Sequence, residues 1–263
     1  MNSRKADFWK ELTTVAFFVG VSVLAQGGPP VPPRVGLPID LYKFIDTNWL
    51  SSLGYAPRSF SGIEGVPGWS TNVAMRIAGT GPAWLQYNYV DSDTNSTHTN
   101  ITFPEGAFSF WVRPANWSST NLEGGTGPGV PARLLELGAY SEQGSWGWFS
   151  LFLDEAGTVL SVGVQSNQFT AVPIQAPISW ASNEWHMVGF NYTLTNMELY
   201  LDGQLAAFAT NGLPFWPSEG VLLTNGFFVG SDSSGSNIAN ADFEVFANFR
   251  LFDSGIHVQR SIQ

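Results

Sequence analysis

The sequence contains no cysteine among its 263 residues, so the chain has no disulfide, no thiolate metal ligand and no thiol nucleophile. Charged residues are also scarce, at 12 % of the chain, and 11 Lys and Arg stand against 21 Asp and Glu. Phosphate recognition needs clustered basic side chains. The net charge of −10 therefore excludes nucleic acid as a partner and disfavours anionic membrane surfaces.

The N-terminal apolar run is too short to span a bilayer. It extends without charge from Leu12 to Ala25, about 14 residues against the roughly 20 that a spanning helix needs. Basic residues precede it and small residues close it, as in a secretory signal. We predict a signal peptide at residues 1–25, with a buried segment or an uncleaved anchor as the alternative. The protein is then secreted or at the cell surface, without membrane insertion after cleavage, and the lack of cysteine fits a bacterial exported protein.

Turn-forming residues are abundant, with 28 Gly and 16 Pro. The Pro- and Gly-rich segment 26–38 predicts an extended linker, and the remainder, 39–263, predicts one all-β domain. Residues 107–113 alternate most clearly, with Phe108 and Phe110 on one face of a strand and Trp111 on the other. By the same criteria we predict strands at 73–77, 83–89, 107–113, 133–139, 147–153, 159–164, 184–192, 197–201, 204–208, 226–230 and 243–252.

Residues 184–205 carry the most specific pattern. They predict two antiparallel strands followed by a tight reversal at Asp202 and Gly203, because both residues tolerate positive φ. The segment resembles the W-x-H-V-A-x-x-Y and L-Y-V-D-G-x-L pattern of laminin-G-like domains, which belong to the concanavalin A-like jelly-roll lectins and glucanases. Residues 107–114 are similar to that family's strand ending in W-V-K/R-P. The resemblance implies a two-sheet antiparallel jelly-roll sandwich built mainly for recognition.

The last strand fits the family pattern in two registers. The apolar-acidic pair of the pattern falls on Phe243 and Glu244 in one register and on Phe246 and Ala247 in the other. Both alignments remain open, and so does any structural calcium site that depends on the acidic position.

Catalytic motifs are absent. The family's glucanases place E-x-D-x-x-E on one strand so that paired carboxylates line a cleft, and no such motif occurs here. The chain has no Gly-x-Ser-x-Gly elbow, and His186 matches a strand histidine that looks structural in the family. We therefore expect no enzymatic activity, with a glucanase-like hydrolase as the least favoured alternative. Solvated turn carboxylates are expected at the nearest acidic cluster, Glu136, Glu142, Asp154 and Glu155.

Oxygen-rich loops offer a candidate calcium site. Asp91 and Asp93 are spaced by one residue in a polar loop, and Asp232 lies in the Gly- and Ser-rich segment 230–235. Such loops supply the hard oxygen ligands that calcium prefers, and the resemblance implies an ion at the sandwich edge. The alternative is that these acids are turn residues facing water.

Tryptophan is unusually frequent, with 11 residues, and sugar-binding modules use exposed aromatic rings against the apolar faces of sugars. Trp111 and Trp185 lie on predicted strands and are expected in the core. Other tryptophans lie in or near loops beside Gly, Ser and Pro, where an exposed ring is a candidate ligand-binding residue. These are Trp146, Trp148, Trp180 and Trp216, with core or rim packing as the alternative for each.

Together these features predict a secreted or cell-surface recognition domain that binds a polysaccharide or a surface protein without catalysis. A structural spacer with no small ligand is the alternative. Fold alone does not give function, so the ligand class rests on the family resemblance.

Overall fold

The computed structural model describes residues 36–251 with the exception of 43, 45, 70–72, 93–95, 104, 121–123, 142–146 and 167–168. The described residues form β-strands and one short helix, α1 (Glu219–Asn225). In chain order the strands are β1 (Gly36–Tyr42), β2 (Ser59–Ser61), β3 (Ile63–Val66), β4 (Ala74–Ile77), β5 (Trp84–Tyr87), β6 (Val90–Ser92), β7 (Thr97–Thr99), β8 (Gly106–Pro114), β9 (Arg133–Gly138), β10 (Trp148–Leu153), β11 (Val159–Ser166), β12 (Phe169–Pro177), β13 (His186–Tyr192), β14 (Met197–Leu201), β15 (Gln204–Ala209), β16 (Phe227–Val229) and β17 (Ala241–Leu251).

Two antiparallel sheets pack face to face as a β-sandwich, which confirms the predicted fold class. Sheet A has eight strands, in the order β15-β14-β13-β8-β17-β4-β3 with β1 added to β17. Sheet B has seven strands, in the order β12-β11-β10-β9-β16-β5-β2. A separate hairpin joins β6 to β7. Strands that are distant in sequence lie side by side in both sheets, as in a jelly roll.

The N-terminal predictions lie mostly outside the described residues. The predicted signal peptide, 1–25, is among the residues not described, and β1 begins at Gly36, inside the predicted linker 26–38. Of the residues that the structure describes, no helix is both long and apolar enough to cross a membrane.

Every strand that the sequence pattern predicts is present, and the strands that it misses have physical reasons. The longest of these, β12, contains Pro173 and Pro177, which argue against a strand in a sequence pattern. The structure places β12 at the edge of sheet B, with an irregular register opposite Val162 and Val164. Proline is tolerated at such edges and bulges because no ladder hydrogen bond is lost there.

A β-bulge in β17 explains why two registers fit the last strand. The pairing of β17 with β8 shifts between Glu244 and Ala247. Phe243 and Phe246 are both fully buried in the core, because the extra residue lets side chains three positions apart face the same side. Glu244 pairs with Trp111 of β8 and lies on the opposite, outer face.

The turn at Asp202 and Gly203 joins β14 to β15 as predicted. Its residues have φ values of 49° and 78°, which a two-residue hairpin of this type requires. The Asp202 carboxylate also accepts a hydrogen bond from the Met187 amide at 2.8 Å and lies 3.0 Å from Nδ1 of His186. The prediction that His186 is a hydrogen-bonded framework residue is therefore confirmed.

Aromatic rings from both sheets meet in the core. The ring centroid of Phe246, in sheet A, lies 6.1 Å from that of Phe108 in the same sheet and 5.8 Å from that of Phe227 in sheet B. Tyr42 of β1 closes the cluster, 5.6 Å from Phe246. Each such pair contributes roughly 0.5–1.5 kcal/mol beyond the area that it buries. The cluster therefore joins the two sheets near the middle of the sandwich.

Replacing Phe246 by Ala should lower the free energy of unfolding by about 3–5 kcal/mol, because it removes a buried ring that contacts both sheets and leaves a cavity. Equilibrium urea denaturation measures the change. Phe208 is the matched control, since 54 % of its surface is exposed on β15, and Phe208→Ala should change stability by less than about 0.5 kcal/mol. Equal effects of the two substitutions would contradict this assignment of the core.

Candidate functional site

The predicted ligand-binding tryptophans do not form an exposed platform. Trp148 and Trp180 retain only 2 % and 3 % of their surface, so neither ring offers a free face to a sugar. Trp216 is half-buried and stacks on Phe149 with ring centroids 5.4 Å apart. Trp146 lies outside the described residues. The other three rings are therefore packed against neighbouring residues, which is the alternative predicted from the sequence for each of them.

Each buried indole has defined neighbours. Trp148 donates its Nε1 hydrogen to Glu136 at 2.7 Å. Trp180 stacks almost parallel on the His186 ring, with a centroid distance of 4.8 Å, and packs 6.3 Å from Trp117. Trp148 lies at the start of the predicted strand 147–153, but the local sequence did not show that Glu136 lies against its ring. Trp180 lies at the sandwich edge between β12 and β13, where residues distant in sequence cover it.

The tryptophans expected in the core face outward instead. Trp111 of β8 and Trp185, just before β13, are half-buried and lie outside the hydrophobic core. This corrects the sequence-based prediction, and the alternation of 107–113 already contained the signal, since Trp111 alternates with the core residues Phe108 and Phe110. Trp69 joins them from the loop after β3: its ring meets that of Trp111 edge-on at 4.6 Å, and 59 % of its surface is exposed.

A row of alternating charges crosses the same outer face of sheet A. Asp242 of β17 pairs across the ladders with Arg113 of β8 and Arg76 of β4. Arg76 donates to both of its carboxylate oxygens, at 2.6 and 3.0 Å, and Arg113 donates through Nε and a terminal nitrogen at 2.8 and 2.5 Å. Glu64 of β3 continues the row 3.9 Å from Arg76. The hydrogen bond to Asp242 raises the pKa of Arg76.

This charge row contacts one of the aromatic rings. Asp242 is fully buried, whereas the side chains of Arg76 and Arg113 keep 30 % and 19 % of their surface. The Arg113 guanidinium lies 4.8 Å from the centre of the Trp185 ring, a geometry that is attractive for a cation over an indole. We call this surface the tryptophan face, made of Trp69, Trp111, Trp185, Arg76, Arg113 and Asp242.

The two predicted calcium ligands that the structure describes are hydrogen-bonded to residues near them in sequence. Asp91 is buried and accepts hydrogen bonds from the Asn88 and Asn100 amides at 2.9 and 2.8 Å. Asp232 is bound by the 234–237 turn: its partial burial opposes ionisation, but hydrogen bonds led by those of Asn237 keep its pKa below the ordinary value. Asp93 lies outside the described residues. In the described part of the chain, no group of three or more His, Asp or Glu could hold a metal, and calcium binding stays a prediction.

Only part of the acidic cluster that was predicted to be solvated turn residues lies in a turn. Asp154 and Glu155 do lie in the turn between β10 and β11, where Asp154 accepts the Thr158 amide at 2.6 Å. Glu136 contradicts the prediction, because it lies on β9 facing away from the core and is fully buried. Burial raises the pKa of Glu136 to about 7 despite the hydrogen bonds it accepts. Glu142 is among the residues not described.

Glu136 is at the centre of a second polar cluster, on the outer face of sheet B. Its Oε2 accepts the Trp148 indole and its Oε1 accepts the Ser233 amide at 2.8 Å. Arg133, on the same strand, has its Nε 3.5 Å from Oε2. The Arg133 guanidinium lies 5.0 Å from the Trp148 ring centre and 4.9 Å from that of Phe152.

A groove adjoins this cluster. It has a volume of about 380 Å³ and runs between α1 and the segment after β9. Tyr140 connects the two features, because it lines the groove and its ring meets Trp148 edge-on at 5.3 Å. The other lining residues are Ala139, Ser141, Ser218, Gly220, Val221, Thr224 and Asn225.

No protein-family model and no curated protein matches this chain. Among solved structures, domain 4 of a GH43 extracellular arabinanase from Geobacillus stearothermophilus, in complex with arabinotriose, is similar over 82 % of this chain and 93 % of that domain, with a TM-score of 0.56 and 14 % identity. A Trypanosoma rangeli sialidase mutant displaying trans-sialidase activity is similar over 94 % of this chain, with a TM-score of 0.53 and 15 % identity, but only 36 % of the sialidase is covered. The sialidase in complex with sialic acid gives 0.51 and 16 % over the same shares.

At these identities the likeness establishes the β-sandwich fold alone. The neighbours share the antiparallel β-sandwich that this chain forms, and the concanavalin A-like type stays a prediction. The narrower resemblance to laminin-G-like domains stays a prediction.

Glu136→Gln should remove a loss of stability that the wild type shows as the pH rises to neutral. The folded-state pKa of Glu136, about 7, exceeds its ordinary value of 4.5, so the folded state holds a proton that the unfolded state releases between these values. Stability from this group is complete below pH 4.5 and is lost as the pH rises to 7, by roughly 3 kcal/mol. Gln cannot ionise, so the stability of the variant relative to the wild type should rise by about that amount between pH 4.5 and 7. Gln also has one acceptor oxygen in place of two, which lowers the stability of the variant by an amount that does not depend on pH.

Urea denaturation of both proteins across this pH range tests the prediction. The unfolding free energy of the variant minus that of the wild type should decrease as the pH falls toward 4.5, the ordinary value for the group. Glu155→Gln, in an exposed turn, is the control and should show no such trend. A difference for Glu136→Gln that does not vary with pH would refute the raised pKa.

Proposed function

We propose that this protein is a non-catalytic carbohydrate-binding domain of a secreted or cell-surface protein, and that the tryptophan face of sheet A holds the saccharide. The observation that carries the proposal is the Trp69 ring, which is 59 % exposed yet fixed edge-on against Trp111. A large indole held exposed in one orientation leaves apolar surface in contact with water. Exposed apolar surface of this kind is typical of a binding site.

The aromatic part of the face suits the apolar side of a sugar ring. Trp69 presents a flat hydrocarbon surface, and its contact with Trp111 restricts the rotation of both rings. A ring that is already ordered loses little conformational entropy when a ligand packs on it. Trp185 adds a third indole, beside Arg113, on the same face.

The polar part of the face suits the hydroxyl groups of the ligand. Arg76 and Arg113 remain partly exposed while Asp242 fixes their positions, so their remaining N–H groups are preorganised donors. Asp242 and Glu64 balance the two positive charges of this row. The charges of the row therefore balance, and Glu244 adds a further carboxylate beneath the face. A neutral saccharide is favoured over an anionic one.

The structural neighbours support a carbohydrate-binding role at this general level. One of them is a domain in complex with arabinotriose, and this chain is similar to it over 93 % of that domain. The carboxylates of the tryptophan face also support binding without hydrolysis, since Asp242 and Glu244 are both fully buried beneath it. Export from the cell is part of the proposal and rests on the N-terminal signal pattern.

A partner surface is the second candidate function, and one observation favours it. Leu205 and Phe208 expose apolar side chains on β15, the edge strand of sheet A. Exposed apolar residues on an unpaired edge are suited to protein contact. A spacer role would leave both the edge and the tryptophan face without ligands.

Trp69→Ala should weaken saccharide binding about thirtyfold, the loss expected for a central aromatic contact worth roughly 2 kcal/mol. A glycan array probed with the purified protein identifies the ligand, with arabino-oligosaccharides included as probes. Isothermal titration with the best ligand then gives the dissociation constants of the two proteins.

Phe60→Ala is the control, because Phe60 is similarly exposed but lies on β2 of sheet B, and it should leave the affinity unchanged. Thermal denaturation checks that both variants are folded. Unchanged affinity in a folded Trp69→Ala protein would exclude the tryptophan face as the binding site. If the wild-type protein binds no glycan on the array, the partner-surface function is favoured.

A further inference from the structure

We propose that Arg133 forms a second ligand site, on the outer face of sheet B, that recognises the carboxylate of an acidic sugar. The site goes beyond the tryptophan face, which lies on the other sheet. It rests on the proposed function only in taking saccharides as the ligand class.

Aromatic rings hold the Arg133 guanidinium in a fixed position. Trp148 and Phe152 lie on the same face of β10, and the guanidinium carbon is within 5.0 Å of both ring centres. The neighbouring strand makes room for them with Gly163, where an added Cβ would come within 2.8 Å of both rings. A larger residue at this position would displace the rings and the guanidinium with them.

The hydrogen-bonding capacity of Arg133 is left unused. Within the described residues its guanidinium makes no hydrogen bond, and Nε is buried without a partner. The Glu136 oxygens, the nearest acceptors, are occupied by the Trp148 indole and the Ser233 amide. A guanidinium is a planar fork of donors that matches a carboxylate with two parallel hydrogen bonds. Nε is closed to solvent and 11 % of the side-chain surface remains exposed, so an incoming carboxylate would bind the two terminal nitrogens.

The charges around Arg133 leave room for an anion. Burial lowers the pKa of Arg133, because desolvation outweighs the nearby acidic groups. The ionisable groups facing it are Glu136 on its own strand, Asp232 after β16 and Tyr140 after β9. The strand β10 contributes only uncharged rings. Because Glu136 has a pKa of about 7, much of its countercharge is absent in mildly acidic solution.

The adjoining groove indicates a sugar as the carrier of this carboxylate. Tyr140 exposes 45 % of its surface beside the groove, and Ser141, Thr224 and Asn225 place polar groups along it. Its volume of about 380 Å³ is in the range of pockets that hold small molecules, roughly 300–1,000 Å³. An apolar ring next to polar groups suits a saccharide better than a simple organic acid.

The test compares an oligogalacturonide with its methyl ester, which differ in the carboxylate charge. Isothermal titration of the whole protein should show at least about tenfold tighter binding of the acid, and Arg133→Gln should abolish the difference. Arg133→Lys keeps the charge but loses the fork, so it should retain only part of the preference. Glu136→Gln should strengthen binding of the acid at pH 7 several-fold, because it removes a neighbouring negative charge.

Trp69→Ala separates this proposal from the previous one, since it should weaken binding at the tryptophan face and leave the preference for the acid intact. Equal binding of acid and ester by the wild-type protein would overturn the Arg133 site, whatever the tryptophan face binds. A folded Arg133→Gln variant that keeps the preference would overturn it as well. If that variant does not fold, the wild-type comparison and Arg133→Lys still decide the question.

Discussion

Burial of aromatic rings between the two sheets is the interaction on which the rest of this structure depends. The chain has no disulfide to join the sheets, and the described part contains a single short helix, so the core contacts hold the sandwich together. Phe246 illustrates this role, because its ring contacts residues of both sheets. Since strand side chains alternate, every core ring fixes the orientation of its neighbours toward the outer face.

The outer faces of the two sheets both contain buried carboxylates, but the arginines beside them are arranged differently. Sheet A buries Asp242 and Glu244 on its outer face, and sheet B buries Glu136. Asp242 is held by two arginines, so its charge is compensated. Glu136 has a single, poorly aligned arginine at 3.5 Å and a raised pKa. The first arrangement gives a rigid surface with paired charges, and the second leaves a cation with unfilled hydrogen-bonding capacity.

The strand framework was predictable from sequence because alternation and turn residues act over a few positions. The Asp202–Gly203 hairpin and the alternation at 107–113 both report local backbone preferences, and the structure bears them out. The edge strand β12 was not predictable, because its proline residues argue against a strand. A strand tolerates proline when it has no hydrogen-bonded neighbour on one side, and the sequence does not show that β12 lies at an edge. The bulge in β17 likewise depends on pairing with β8.

The site was much less predictable, because exposure of a tryptophan depends on what packs over it. Loop context suggested exposure for Trp148 and Trp180, yet contacts distant in sequence bury both. Trp69 was overlooked because its position against Trp111 requires the loop after β3 to reach β8. The Arg76–Asp242–Arg113 row was also invisible, since three strands far apart in sequence bring these residues together.

The central claim, that the tryptophan face binds saccharide, is tested most directly by following the indole N–H resonances of the protein during a saccharide titration. The account predicts that the Trp69, Trp111 and Trp185 signals shift together and saturate with one dissociation constant. The signal of the buried Trp180, at the sandwich edge, should stay unchanged. Saturable shifts confined to tryptophans outside the face, with those of Trp69 and Trp111 unmoved, would contradict the account.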